Sequence, residues 1–128
     1  MSYHFSKTVK GTWDQTREQL ATQMKAEGFG VLTEIDMQKA LKDKLGVEFR
    51  RYSIFGFCNP NFAHQALQAE PYIGTMLPCN IVMQQHEDGQ IEVSAIDPVA
   101  SMQAIENPKL ATLASEVRAK LERGILAL

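Results

Sequence analysis

The sequence predicts a single α+β domain, a two-layer sandwich with helices packed on a mixed, mostly antiparallel five-stranded sheet. Three observations predict it. Stretches of period-two alternation take turns with stretches whose apolar residues recur at helical spacing, in the order β-α-β-α-β-α-β-β-α. The last two strands flank Glu87-Asp88-Gly89, a hairpin loop, so a doubly wound parallel sheet is disfavoured. The chain has 128 residues, 45% hydrophobic and 22% charged. That is enough for one core and ordinary for a globular protein, so residues 1–128 form one domain.

Tyr3, Phe5 and Val9 alternate with His4, Ser6, Thr8 and Lys10, the pattern of a half-buried strand ended by Gly11. Thr12 opens a helix, with Gln15 three residues later as its capping-box partner. Trp13, Leu20 and Met24 form the buried stripe, and Gly28 suits the left-handed residue past the helix end. Val31 to Ile35 reads as the second strand. Asp36 caps a second helix whose inner face is Met37, Leu41 and Leu45, and Gly46 ends it. A third strand runs from about Arg51 to Phe57, rich in aromatic and β-branched residues.

Asn59-Pro60 is a helix start, an N-cap residue followed by proline at the first helical position. Ala63, Ala66 and Leu67 share one side of that helix, and Pro71 stops it. Tyr72 to Pro78 reads as a connector. Asn80 to His86 and Gln90 to Ile96 then form the hairpin. Gly89 takes the left-handed position, and pairing His86 with Gln90 sets Met83 opposite Val93 and Ile81 opposite Ala95. Extending that register places Cys79 opposite Asp97. Asn107-Pro108 repeats the helix-start signature. Leu110, Leu113, Val117 and Leu121 follow at core spacing, with Gly124 as terminator.

The net charge is −2, which argues against nucleic acid as a partner, because phosphate binding needs clustered positive charge. No apolar run approaches the ~20 residues that span a bilayer. Met1 to Lys10 is polar and alternating, unlike a signal peptide. The expected location is therefore cytoplasmic, where the two cysteines stay reduced.

Several residues carry chemical promise. Cys58 precedes the helix start at Asn59, where free amides and the helix dipole favour a thiolate or a small anion. The competing role is that of a small buried core residue. Cys79 has Asp97 as its expected neighbour, which would raise its pKa. Asn59 has capping as its first duty, whereas Asn80 sits in a strand, where asparagine is disfavoured and a ligand or structural hydrogen bond is expected. Glu34 lies in an otherwise apolar strand and is a candidate pocket carboxylate, with the Tyr52 hydroxyl beside it. Cys58, Cys79 and His64 together would offer soft ligands for zinc or copper, although no tight metal-site spacing is present. No P-loop, G-x-S-x-G elbow or G-x-G-x-x-G fingerprint occurs.

One set of motifs runs through the middle of the chain: Gly28-Phe29-Gly30-Val31-Leu32, Glu34-Ile35-Asp36, Lys44-Leu45-Gly46, Cys58-Asn59-Pro60 and Leu77-Pro78-Cys79-Asn80. With Tyr52, Ile54, Gly56, Ala63, Ala66-Leu67, Pro71 and Gly74, it resembles the bacterial and archaeal family catalogued as domain of unknown function 302. The resemblance covers about Gly28 to Asp97. Phe57 departs from it, standing where a small residue is expected. It implies a compact α+β domain and a homodimer, and it carries no established activity, catalytic residue or cofactor.

Four functional readings follow. The leading one is a module binding a small molecule or anion at a pocket of Cys58, Asn59, Cys79 and Asn80, joined by Glu34 and Tyr52. The others are a thiol-dependent redox protein with Cys58 reactive, a transition-metal protein, and a purely structural or interaction domain.

Overall fold

The computed structural model describes residues 2–128. In chain order the elements are β1 (His4–Val9), α1 (Trp13–Ala26), β2 (Gly30–Asp36), α2 (Met37–Leu45), β3 (Tyr52–Cys58) and α3 (Pro60–Ala69). A 3-10 segment (Pro71–Met76) follows, then β4 (Cys79–Gln85), β5 (Ile91–Ile96), α4 (Pro98–Ser101) and α5 (Pro108–Leu126). The strands form one sheet in the order β1-β5-β4-β3-β2. Every pair is antiparallel, so the sheet is uniform where the sequence suggested a mixed one.

Local rules explain most element ends. Thr12 and Gln15 form the capping box at the head of α1. At its tail Gly28 has φ +88, and Phe29 N–H reaches back to Met24 O at 2.9 Å while Gly28 N–H reaches Lys25 O. That pair of bonds satisfies two end carbonyls and turns Phe29 into the core. Gly89 at φ +86 closes the hairpin, with His86 N–H to Gln90 O at 2.8 Å. The register pairs Ile81 with Ala95 and Met83 with Val93, as the alternation required.

One sheet face is the core. Phe55, Phe57, Ile81, Met83, Ile91, Val93 and Ala95 are buried there beneath Leu20 and Met24 of α1 and Leu121 and Ile125 of α5. Trp13 is 7% exposed, with the Arg51 guanidinium 4.5 Å from its ring.

Three expectations change. Gly124 does not end the last helix. It lies inside α5 and lets Met24 approach, since a Cβ there would fall 2.4 Å from the Met24 sulfur. The connector before β4 is a 3-10 turn that buries Ile73. The face of α2 read as buried is not: no residue of α2 is buried, and Leu45 is 69% exposed. Strand β2 is likewise exposed along its whole length and pairs on one side only, with β3. Among the described residues no helix is long and apolar enough to cross a membrane.

Candidate functional site

The last residues of β3 and the first of β4 are neighbours, Phe57 pairing with Cys79. That pairing brings the two cysteine motifs to one end of the sheet. Helix α3 leaves β3 directly after Cys58, and α5 crosses over it. Between them opens a cavity of about 380 Å³, lined by Cys58, Asn59 and Cys79 together with apolar side chains of α3, α5 and the loop before β4. The other lining residues are hydrocarbon, glycine, proline or methionine. The volume is within the range of small-ligand sites. Taking about 30 Å³ per water-sized group, it has room for roughly a dozen heavy atoms.

The polar end has an unexpected arrangement. Asn59 is the N-cap residue of α3, yet its side chain makes no capping bond. Its Nδ2 donates instead to Glu27 O at 3.4 Å. The amide packs over Gly28, where a Cβ would come within 2.9 Å of Nδ2. Asn107, in the same Asn-Pro setting, does cap, accepting from Lys109 and Leu110 N–H. The capping role assigned to Asn59 is therefore corrected: the tail of α1 captures its side chain. The N–H groups of Asn61 and Phe62 are left without a side-chain cap at the helix start.

Cys58 is half-buried, and Cys79 is buried. Burial first, and the neighbouring Cys58 second, push the Cys79 thiol up from 9.0 to about 11. The direction matches the sequence expectation, but the cause does not. Asp97 turns away to accept from Arg118 Nε at 2.9 Å and to cap α4 through Val99 and Ala100 N–H.

The remaining candidates are elsewhere. Glu34 is paired with Arg17 of α1 through two bonds from Nε at 3.1 and 3.2 Å, in a shallow groove beside Phe55. Tyr52 lies half-buried on the opposite sheet face, its ring tilted against that of Phe49 with centres 6.1 Å apart. Asn80 is exposed there too, in a groove shared with Tyr52 and Val82. His64 is exposed on α3, turned from the side where Ala63 and Ala66 line the cavity. No group of three or more His, Cys, Asp or Glu side chains placed to hold a metal occurs among the described residues. The structure thus gathers Cys58, Asn59 and Cys79 around the cavity and leaves Glu34, Tyr52 and His64 apart from them, while Asn80 shares only a second, smaller groove with Cys79.

Sequence reasoning missed the apolar wall. Core spacing picks out Leu113 and Val117, but both are only half-buried because they face the cavity. The periodicity identifies their helix face and says nothing about whether that face meets atoms or space.

A family model described as "Domain of unknown function DUF302" matches residues 5–128. The crystal structure of an uncharacterized conserved DUF302 protein from Bacillus stearothermophilus superposes with a TM-score of 0.91 at 27% identity, covering 98% of this chain and 97% of that one. No curated protein matches the chain.

Proposed function

The chain belongs to the DUF302 family, whose name carries no activity, and we propose from its own site that it is a binding module for a small, largely apolar organic molecule. One observation carries this reading. The cavity is preformed, its walls are apolar, and its polar groups, Cys58, Asn59 and Cys79, converge at one end. Small-ligand sites are built this way, with apolar bulk for affinity and a few placed polar groups for orientation.

The test uses 1-octanol as the probe, followed by backbone amide shifts in ¹⁵N-labelled protein. Shifts are expected to cluster at Phe62, Ala66 and Leu113. Ala66 is buried on α3 and lines the cavity, so Ala66→Phe fills that space and is expected to weaken octanol binding at least tenfold. Shifts scattered over the surface, or an affinity indifferent to Ala66→Phe in a folded variant, would overturn the reading.

We also propose that the module is a homodimer seated on β2 and α2. Eleven large apolar residues are exposed among the described residues, and six of them, Val31, Leu32, Ile35, Leu45, Val47 and Phe49, fall in this one stretch. The free edge of β2 adds a row of unpaired backbone groups that a second strand can take up. Leu32 belongs to this surface and also lines the cavity, so a partner there adjoins the cavity mouth. Light scattering is expected to give twice the 14.3 kDa of the chain; a monomer at high micromolar concentration would rule the dimer out.

A further inference from the structure

We propose that the ligands of this cavity are neutral, straight-chain amphiphiles longer than the cavity itself, whose hydroxyl or primary amide head passes Met102 and is held beside Asn80 in the neighbouring groove. The inference rests on the cavity being a binding site, and adds the length of the ligand and the kind of head group it carries.

The geometry begins with a shared wall. Beyond the cavity lies a groove of about 270 Å³, to which Thr75, Asn80 and Ser101 contribute the polar side. Leu77, Pro78, Cys79, Pro98 and Met102 line both spaces, so a single layer of residues separates them. Most of that layer is fixed. Pro78 and Pro98 are held by their rings, Cys79 is buried at the start of β4, and Leu77 is branched and shorter. Met102 differs. It is half-buried, it follows the four-residue α4, and its unbranched thioether turns about three bonds. A change of rotamer there joins the two spaces without moving the backbone. At about 30 Å³ per water-sized group, the cavity alone holds roughly a dozen heavy atoms and the joined space roughly twenty.

The chemistry of the two spaces selects the head group. No Lys, Arg, His, Asp or Glu lines either one, so a charged head would lose its hydration without gaining a counter-charge. The groove offers neutral polar groups instead. Thr75 Oγ1 donates to Tyr72 O at 2.9 Å and Ser101 Oγ donates to Pro98 O at 3.3 Å, which leaves each hydroxyl oxygen as an acceptor. The Asn80 side chain is exposed and makes no hydrogen bond among the described residues, so it keeps its donors and its acceptor. A hydroxyl or a primary amide both donates and accepts, and so matches this set. A carboxylate only accepts, and would match Asn80 alone. The reading also gives a duty to an asparagine placed in a strand, where that residue is disfavoured.

1-Octanol falls short of what the cavity holds, and 1-dodecanol, longer by several methylenes, exceeds it. Both are titrated into ¹⁵N-labelled protein. Dodecanol is expected to bind at least tenfold tighter, as added buried methylenes require, and to shift the Asn80 and Ser101 amides, which octanol leaves unmoved. Asn80→Ala, at an exposed position, is expected to weaken dodecanol about fivefold, the effect of one lost hydrogen bond, and to leave octanol unchanged. Met102→Phe puts a stiff ring in the partition and is expected to bring dodecanol down to the affinity of octanol. Dodecanol that binds no tighter than octanol, that shifts only α3 and α5, or that is untouched by both substitutions would overturn the inference while leaving the apolar cavity standing. Binding of neither alcohol would remove the cavity reading and this inference with it.

Discussion

Phe57→Ala is expected to lower the unfolding free energy by roughly 3–5 kcal/mol, the range for truncating a fully buried aromatic. Phe57 is 1% exposed and stands on β3, between β2 and β4. Its ring lies 6.3 Å from that of Phe55 within the main core cluster. The loss has two parts: the transfer free energy of the removed ring, and the contacts forfeited around a space that the neighbours fill only partly. On the opposite face of β3, Gly56 is packed so closely that a Cβ on it would fall 2.3 Å from Thr33 Oγ1 and 2.6 Å from Pro78 Cγ, which fixes the strand rather than the space left by the ring. Urea unfolding followed by circular dichroism checks the value. A change under about 1 kcal/mol would mean that the core repacks freely and that the cavity beside Phe57 is not held open by rigid walls.

The second large effect is a loss of stability in alkali that depends on Cys79. Its folded-state pKa, about 11, lies above the ordinary 9.0. Below pH 9 the thiol is protonated in both the folded and the unfolded chain, and the group confers no pH dependence. Between 9 and 11 the unfolded chain releases the proton and the folded one retains it, so unfolding is favoured as pH rises. The loss is complete above 11 and amounts to roughly 2–3 kcal/mol. Cys79→Ala costs some packing at every pH, but its stability is expected to fall less steeply from pH 8.5 to 10.5 than that of the unaltered protein. Every other titratable group is common to both chains, so the difference between the two slopes isolates the thiol. Parallel slopes would show that Cys79 ionises in the folded protein as easily as in the unfolded one.

Features that depend on a few consecutive residues were legible in the sequence. The Thr12–Gln15 capping box and the Gly28 helix end involve groups within a handful of positions of one another. The hairpin register follows from Gly89 and the period-two alternation on either side. The meeting of Cys58 and Cys79 at one sheet end rests on β3 lying beside β4, which no local pattern dictates. What failed needed a distant partner. Asn59 and Asn107 have the same local signature, yet only Asn107 caps, because the tail of α1 brings Glu27 O within reach of Asn59. Asp97 was placed opposite Cys79 by register, but Arg118 of α5 takes its carboxylate. The apolar stripe of α2 was visible, but a stripe states that a helix has something to cover and does not name the surface it meets. The cavity was illegible for the same reason: Leu113 and Val117 have core spacing whether or not the opposing space is filled.

The placement of Trp13 has a practical consequence. It is the single tryptophan in the chain, buried at the head of α1 under Arg51, and it is not among the residues that line the cavity. Its fluorescence therefore comes from one known environment, next to a cation and shielded from water. Loss of the fold should shift that emission to the red, while filling the cavity should leave it nearly unchanged. The protein thus carries an intrinsic optical signal for folding that is separate from ligand occupancy, so variants of the cavity wall can be screened for integrity without a label.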